Sequence, residues 1–131
     1  MSVDTRQAVL RWNATGITIA GGFGPGNGSH QLNTPRDLAV DDQNTLYIAD
    51  TLNHRIQRFL VGASNGTTIA GTGVNGSSSN QLSSPSGILY EMNGNICIAD
   101  LGNHRILLWQ SGASSGSTIA GIGERRQQPN T

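Results

Sequence analysis

The 131-residue chain has no lysine; its eight basic residues are all arginines, balanced by eight acidic residues for a formal charge of +0. With only 12% of residues charged, a phosphate-dominated partner is disfavoured, because nucleic-acid binders gain from counterion release at a basic patch. Aromatic residues are scarce at 5%, so a stacking surface for single-stranded RNA is thin as well. The one cysteine, Cys97, excludes an intrachain disulfide and a cysteine-based zinc site. It replaces Tyr47 within a repeated strand, where a small, buried, inert side chain is expected. No apolar run approaches the ~20 residues of a membrane span, and no charged-then-apolar leader precedes the first repeat. Neither a membrane partner nor a compartment follows from the sequence.

What is abundant is glycine, at 18 residues, together with Ser, Thr and Asn. Disorder shares that composition, but a disordered chain does not keep β-branched runs in register. Here Tyr47-Ile48-Ala49-Asp50-Thr51-Leu52-Asn53-His54-Arg55-Ile56 returns fifty residues later as Cys97-Ile98-Ala99-Asp100-Leu101-Gly102-Asn103-His104-Arg105-Ile106. Gln31-Leu32 and Pro35 return as Gln81-Leu82 and Pro85, and Thr18-Ile19-Ala20-Gly21 returns twice, at 68–71 and 118–121. A fixed period of this size indicates a solenoid, a propeller or an array.

Each copy of the ten-residue stretch reads as a strand, a four-residue turn and a second strand. Residues flanking such a turn face each other across the ladder. Asp50 therefore opposes Arg55, and Asp100 opposes Arg105, a cross-strand pair of about 0.2–1 kcal/mol. Asn53 and Gly102 are expected to take any left-handed position in the turn.

The units follow in order. Residues 4–21 supply the outer half of a blade, ending in a strand at 17–21, and a long connection runs to Pro35. The first full unit, 35–71, has strands at 36–41, 45–50, 55–61 and 67–71. The second, 85–121, has strands at 86–91, 95–100, 105–110 and 117–121, with Asn93-Gly94 as a hairpin turn. The pattern is lost in the tail, 122–131. The long connections exceed what a hairpin needs and are expected to travel to another sheet. The second strands are apolar at nearly every position (Leu46 to Ala49, Ile96 to Ala99), which suits sheets covered on both faces. Radial stacking of small sheets supplies that cover, so the fold class is all-β, with four-stranded antiparallel propeller blades in an incomplete ring.

The pattern of Pro, a short strand, Ile-Ala-Asp, Asn-His-Arg-Ile and a glycine-rich tail resembles the NHL-repeat family. This chain carries Arg where the founding tripeptide has Leu. WD-type repeats would need Gly-His and Trp-Asp, which are absent, and kelch repeats a Gly-Gly pair in each unit, which only Gly21-Gly22 supplies. The resemblance implies a non-catalytic scaffold that presents a loop face to a protein partner, as where such propellers choose the targets of larger ubiquitin-ligase chains. It also admits two other classes, a metal-dependent propeller enzyme of the amidating-lyase or lactonase kind, and a binder of single-stranded RNA.

Candidate binding residues are those the scaffold does not demand. Arg36 opens the first strand of its unit, expected to line the central channel, whereas its counterpart Ser86 is neutral. Asp37, with His30, Asn27 and Ser83, belongs to the same non-periodic polar set. His54 and His104 recur in the turn; as metal ligands on neighbouring blades they would converge poorly, and a catalytic zinc needs three close ligands. No catalytic residue, metal ligand or cofactor is assigned. The first and last sheets each leave an apolar face open, so self-association is expected beside a protein partner.

Overall fold

The computed structural model describes residues 15–121. Eight strands form two four-stranded antiparallel sheets, each in simple sequential order. The first sheet holds β1 (Pro35–Val40), β2 (Leu46–Asp50), β3 (Arg55–Phe59) and β4 (Thr67–Gly71). The second holds β5 (Pro85–Tyr90), β6 (Ile96–Asp100), β7 (Arg105–Trp109) and β8 (Ser117–Ala120). The strands begin or end within a residue or two of the sequence reading. Residues 17–21, expected as a strand, make no ladder with any described residue; the partner strand expected for them falls within 4–12, outside the described residues. The tail at 122–131 also lies outside them.

The two sheets repeat each other in detail. Asp50 pairs with Arg55 in the β2–β3 register and Asp100 with Arg105 in the β6–β7 register, as the turn length requires. Both first strands carry an irregularity just after their proline, between Pro35 and Asp37 and between Pro85 and Gly87. The β5–β6 hairpin places Asn93 and Gly94 at φ of 67° and 82°, the left-handed pair that an Asn-Gly turn supplies at least strain. In the β2–β3 and β6–β7 turns, however, the left-handed residue is neither Asn53 nor Gly102. It is the histidine, His54 at φ 51° and His104 at φ 54°.

The core lies between the sheets. Tyr47, Ala49, Ile56 and Ala70 of the first sheet form one cluster with Ile96, Ile98, Leu107 and Trp109 of the second. Leu82, on the connection between them, is fully buried in that cluster. Burying a side chain of this size contributes about 1.5–3 kcal/mol, so the Leu82 insertion rivals any single strand residue as a joint. The connection does travel to another sheet, leaving β4 and entering β5. The connections also wrap the flank of the sheet they lead into, where Ser29 and Ser79 accept the N–H groups of Gly66 and Gly116.

β2 is buried along most of its length, whereas β6 alternates buried and half-buried. β6 has a covered face toward the first sheet and an open face on the other side. Cys97 points to the open side: it is half-buried, not a core residue, and its thiol donates to Glu91 Oε1 at 3.2 Å. Burial, and then that hydrogen bond, push the thiol above its ordinary pKa.

Candidate functional site

The Asp–Arg pair sits at the centre of a buried tie. Asp50 is fully buried, and its Oδ2 accepts Arg55 Nε at 2.7 Å and Asn53 Nδ2 at 2.9 Å. Its Oδ1 accepts the backbone N–H of Asn33 at 2.7 Å. Arg55 spends its remaining donors on loop carbonyls: Asn27 from Nη1, and Gly28 and Gln31 from Nη2, all at 3.0 Å. Asn53 Nδ2 also reaches the Gly26 carbonyl at 2.8 Å. The second sheet repeats the arrangement through Asp100, Asn103 and Arg105 to the carbonyls of Gly76, Ser77, Ser78 and Gln81. A guanidinium suits this role because its planar fork offers five donors in fixed directions. Each tie holds a thirteen-residue polar connection against its own sheet and buries its carboxylate fully among three hydrogen-bond donors.

A second set of bonds joins one sheet to the next. Thr51 Oγ1 donates to the Pro85 carbonyl at 2.7 Å. His54 Nδ1 accepts the Ser84 backbone N–H at 3.0 Å, so the ring must be unprotonated at that nitrogen. Asp37 Oδ2 accepts the Ile88 N–H at 2.9 Å, while its Oδ1 takes the N–H of Leu38. Leu82 lies between them, its Cδ1 3.1 Å from where a Cβ on Gly71 would stand. Two of the five candidate binding residues, Asp37 and His54, are thus joints between sheets.

The other three are displayed. Arg36 is exposed at the start of β1 and, with Asp37, lines a cleft of about 410 Å3 beside Ile19, Leu32, Leu38 and Ile48. Ser86 and His104 come together in a smaller cavity of about 260 Å3 on the open side of the second sheet. The long connections do not lie wholly on one face: Asn33 meets the turn through the Leu52 N–H, but Ser29 bonds Asn65 at the opposite end of the sheet. Asn27 and Ser83 serve through their backbones in the buried ties, and His30 meets the edge of the Phe23 ring at 5.2 Å.

The end of the sheets that carries the β2–β3 and β6–β7 turns shows apolar side chains the sequence reading did not single out. Leu52, Leu101 and Val74 are 50%, 54% and 64% exposed there. Leu52 aligns with Gly102, and Leu101 with Thr51, so no repeat demands either leucine. The signal was available: each breaks the fifty-residue pattern with an apolar residue in a turn.

At the opposite end, a wide cleft of about 1020 Å3 runs between the β1–β2 and β5–β6 turns, lined by Asp41, Asp42, Tyr47, Tyr90 and Glu91. The tyrosine rings stack across the seam with centroids 5.5 Å apart. Desolvation pushes the Asp41 carboxyl up, but the N–H groups of Thr45 and Gln43 and the Tyr47 hydroxyl outweigh it and hold it below its ordinary value. Burial, and then the bond to Asp41, raise the Tyr47 phenol. Among the described residues, no three His, Cys, Asp or Glu side chains gather as a metal site. No helix among them is long and apolar enough to cross a membrane.

Comparison with curated proteins returns no match. The sequence profile of the NHL repeat matches residues 32–59. That span begins at Leu32, ends at the last residue of β3, and contains the Asp50, Asn53 and Arg55 side chains of one buried tie, whose loop carbonyls at 26–31 lie just before it. Residues 32–59 match the NHL repeat, residues 82–109 reproduce that span in sequence and in structure, and the two sequential four-stranded sheets are those of an incomplete β-propeller.

Proposed function

We propose that the chain is a non-catalytic protein-interaction module whose partner docks on the face carrying the Thr51–His54 and Leu101–His104 turns. The reading goes furthest as the target-recognition part of a larger ubiquitin-ligase-type protein. One observation carries it: the recurring Asp–Arg pair of each repeat is consumed in a buried tie, while Leu52, Leu101 and Val74 stand exposed where no repeat requires an apolar residue. Exposed apolar residues within a polar loop surface are the usual material of a docking site. Arg36, at the edge of that face, supplies a charge beside them.

The test is site-specific photocrosslinking from positions 52 and 101, with position 92 at the opposite end as control. Leu52 and Leu101 positions should crosslink a discrete protein, and the double change Leu52→Asp with Leu101→Asp should abolish its capture. Equal capture from all three positions would refute the assigned face. Stoichiometric zinc or calcium in the purified protein would favour the propeller-enzyme reading instead. Retention of labelled RNA at moderate salt would favour the RNA-binding one.

A further inference from the structure

The joint between the two blades shows what an exposed blade face is shaped to receive. In that joint, Leu82 fills the hollow beside Gly71, Ser84 gives its N–H to His54, and Pro85 follows. The second blade carries the same hollow with nothing described in it. Its walls are Ala99, Ile106, Ala120 and Gly121, with His104 at the rim and a volume of about 260 Å3. Ala70 is 1% exposed and Ile56 fully buried in the filled joint, whereas Ala120 is exposed and Ile106 half-exposed in the open one.

The matching insert is also in this chain. Leu32-Asn33-Thr34-Pro35 is the counterpart of Leu82-Ser83-Ser84-Pro85. We propose that the hollow on the second blade receives the Leu32–Pro35 segment of a second copy of this chain, so that copies join head to tail.

Four observations support the choice of occupant. The insert is preformed: Thr34 holds φ 54°, as Ser84 holds φ 49°, so its N–H is presented in the same way. The receiver is preformed too, with His104 at φ 54°, ψ 42° against φ 51°, ψ 48° for His54, and no bond to the His104 ring among the described residues.

Third, the place where the two joints differ is compensated. Gly87 stands where the first blade has Asp37, so it cannot offer a carboxylate to an incoming blade. An incoming first blade does not need one, because its Leu38 N–H is already held by Asp37 of its own chain. In the filled joint the reverse holds: Ile88 has no such neighbour of its own and takes Asp37 from across the seam.

Fourth, the flat parts of the two faces are chemically alike. The open face of the second blade offers Leu89, Cys97 and Leu108 around the hollow. The outward face of the first offers Leu38 and Val40, which are 57% and 46% exposed. Leu32 packs beside Gly21 of its own chain, a contact it would exchange for the hollow of the neighbouring copy. A head-to-tail interface of this type closes into a ring if the rotation permits. Propellers usually have about four to eight blades, so about two to four copies of a two-blade unit would close one.

The assembly is independent of the loop-face partner proposed above, since it uses the sides of the blades. The experiment is sedimentation of the full 131-residue chain at up to about 100 μM, with two complementary variants. Leu32→Asp removes the insert and leaves the hollow intact; Ala120→Trp fills the hollow and leaves the insert intact. The unaltered chain should sediment well above its 13.7 kDa monomer mass. Each variant alone should be monomeric, with the near-ultraviolet dichroism of the tyrosine stack retained, and an equimolar mixture should recover a one-to-one pair. His104→Ala should weaken the pair roughly tenfold by leaving the Thr34 N–H without its acceptor. If Leu32→Asp loses the native dichroism, Leu38→Asp serves as the insert-side variant. A monomeric unaltered chain, or variants that associate as the unaltered chain does, would overturn the proposal. So would a mixture that forms no pair.

Discussion

Arg55 Nε lies 2.7 Å from Asp50 Oδ2, and both side chains are buried at the point where a thirteen-residue connection meets its sheet. Removing one member leaves a buried charge and several loop carbonyls unpaired, so Arg55→Leu should cost about 3–5 kcal/mol in urea unfolding. Arg55→Lys should recover only part of this, because an ammonium cannot reach the Asn27, Gly28 and Gln31 carbonyls in the directions the fork does. The double change Asp50→Leu with Arg55→Leu should cost less than the sum of the single changes.

The two repeated histidines should behave differently. His54 closes the seam by accepting the Ser84 N–H, so His54→Ala should cost about 1–3 kcal/mol. His104 is exposed and has no such donor among the described residues. In the monomeric Leu32→Asp background, His104→Ala should change stability by less than about 0.5 kcal/mol. Equal costs would mean that the seam bond contributes nothing.

Gly71 and Gly112 separate strain from collision. Both have positive φ, at 84° and 76°, so alanine is strained at either position. At Gly112 nothing stands within 4 Å of an added Cβ, and Gly112→Ala should cost about 1 kcal/mol. At Gly71 the Cβ would stand 2.5 Å from the His54 carbonyl oxygen and press on Leu82, so Gly71→Ala should cost several times more. Thermal melts of the two variants make the comparison.

Acid should act through Asp41, whose carboxyl is held below its ordinary value by the balance described above. A carboxyl depressed on folding contributes stability that is present above the unfolded value of about 3.9 and lost as pH falls through the folded value. Asp41→Asn should therefore be less stable at neutral pH and show a flatter loss of stability below about pH 4. Chemical unfolding across that range measures both.

The repeat made the strands legible, because apolar alternation and turn residues recur at the same spacing and errors in one copy are corrected by the other. The Asp–Arg pairing followed from turn length alone. Its burial did not, since nothing local shows that a connection thirteen residues long will fold back over the pair. The left-handed residue was misplaced for a similar reason. Propensity favours Asn53 and Gly102, but the Asn53 side chain is needed inward on Asp50, and a Cβ at Gly102 would collide with Ser83. Asn53 is kept for its amide and Gly102 for close approach, which leaves the strain to the histidine. Arg36 and Ser86 are legible as departures from the repeat, whereas the roles of Asp37 and His54 depend on contacts between blades that no single unit contains.

The account stands on successive blades covering each other through the leucine that precedes each proline. The most direct measurement is the nuclear Overhauser effect between the Leu82 δ-methyl protons and the Gly71 α-protons. A cross-peak is predicted, since Leu82 Cδ1 stands 3.1 Å from the position a Cβ at Gly71 would take. Its absence in the folded protein, with Leu82 exchanging as a solvent-exposed side chain, would contradict the packing of one blade on the next.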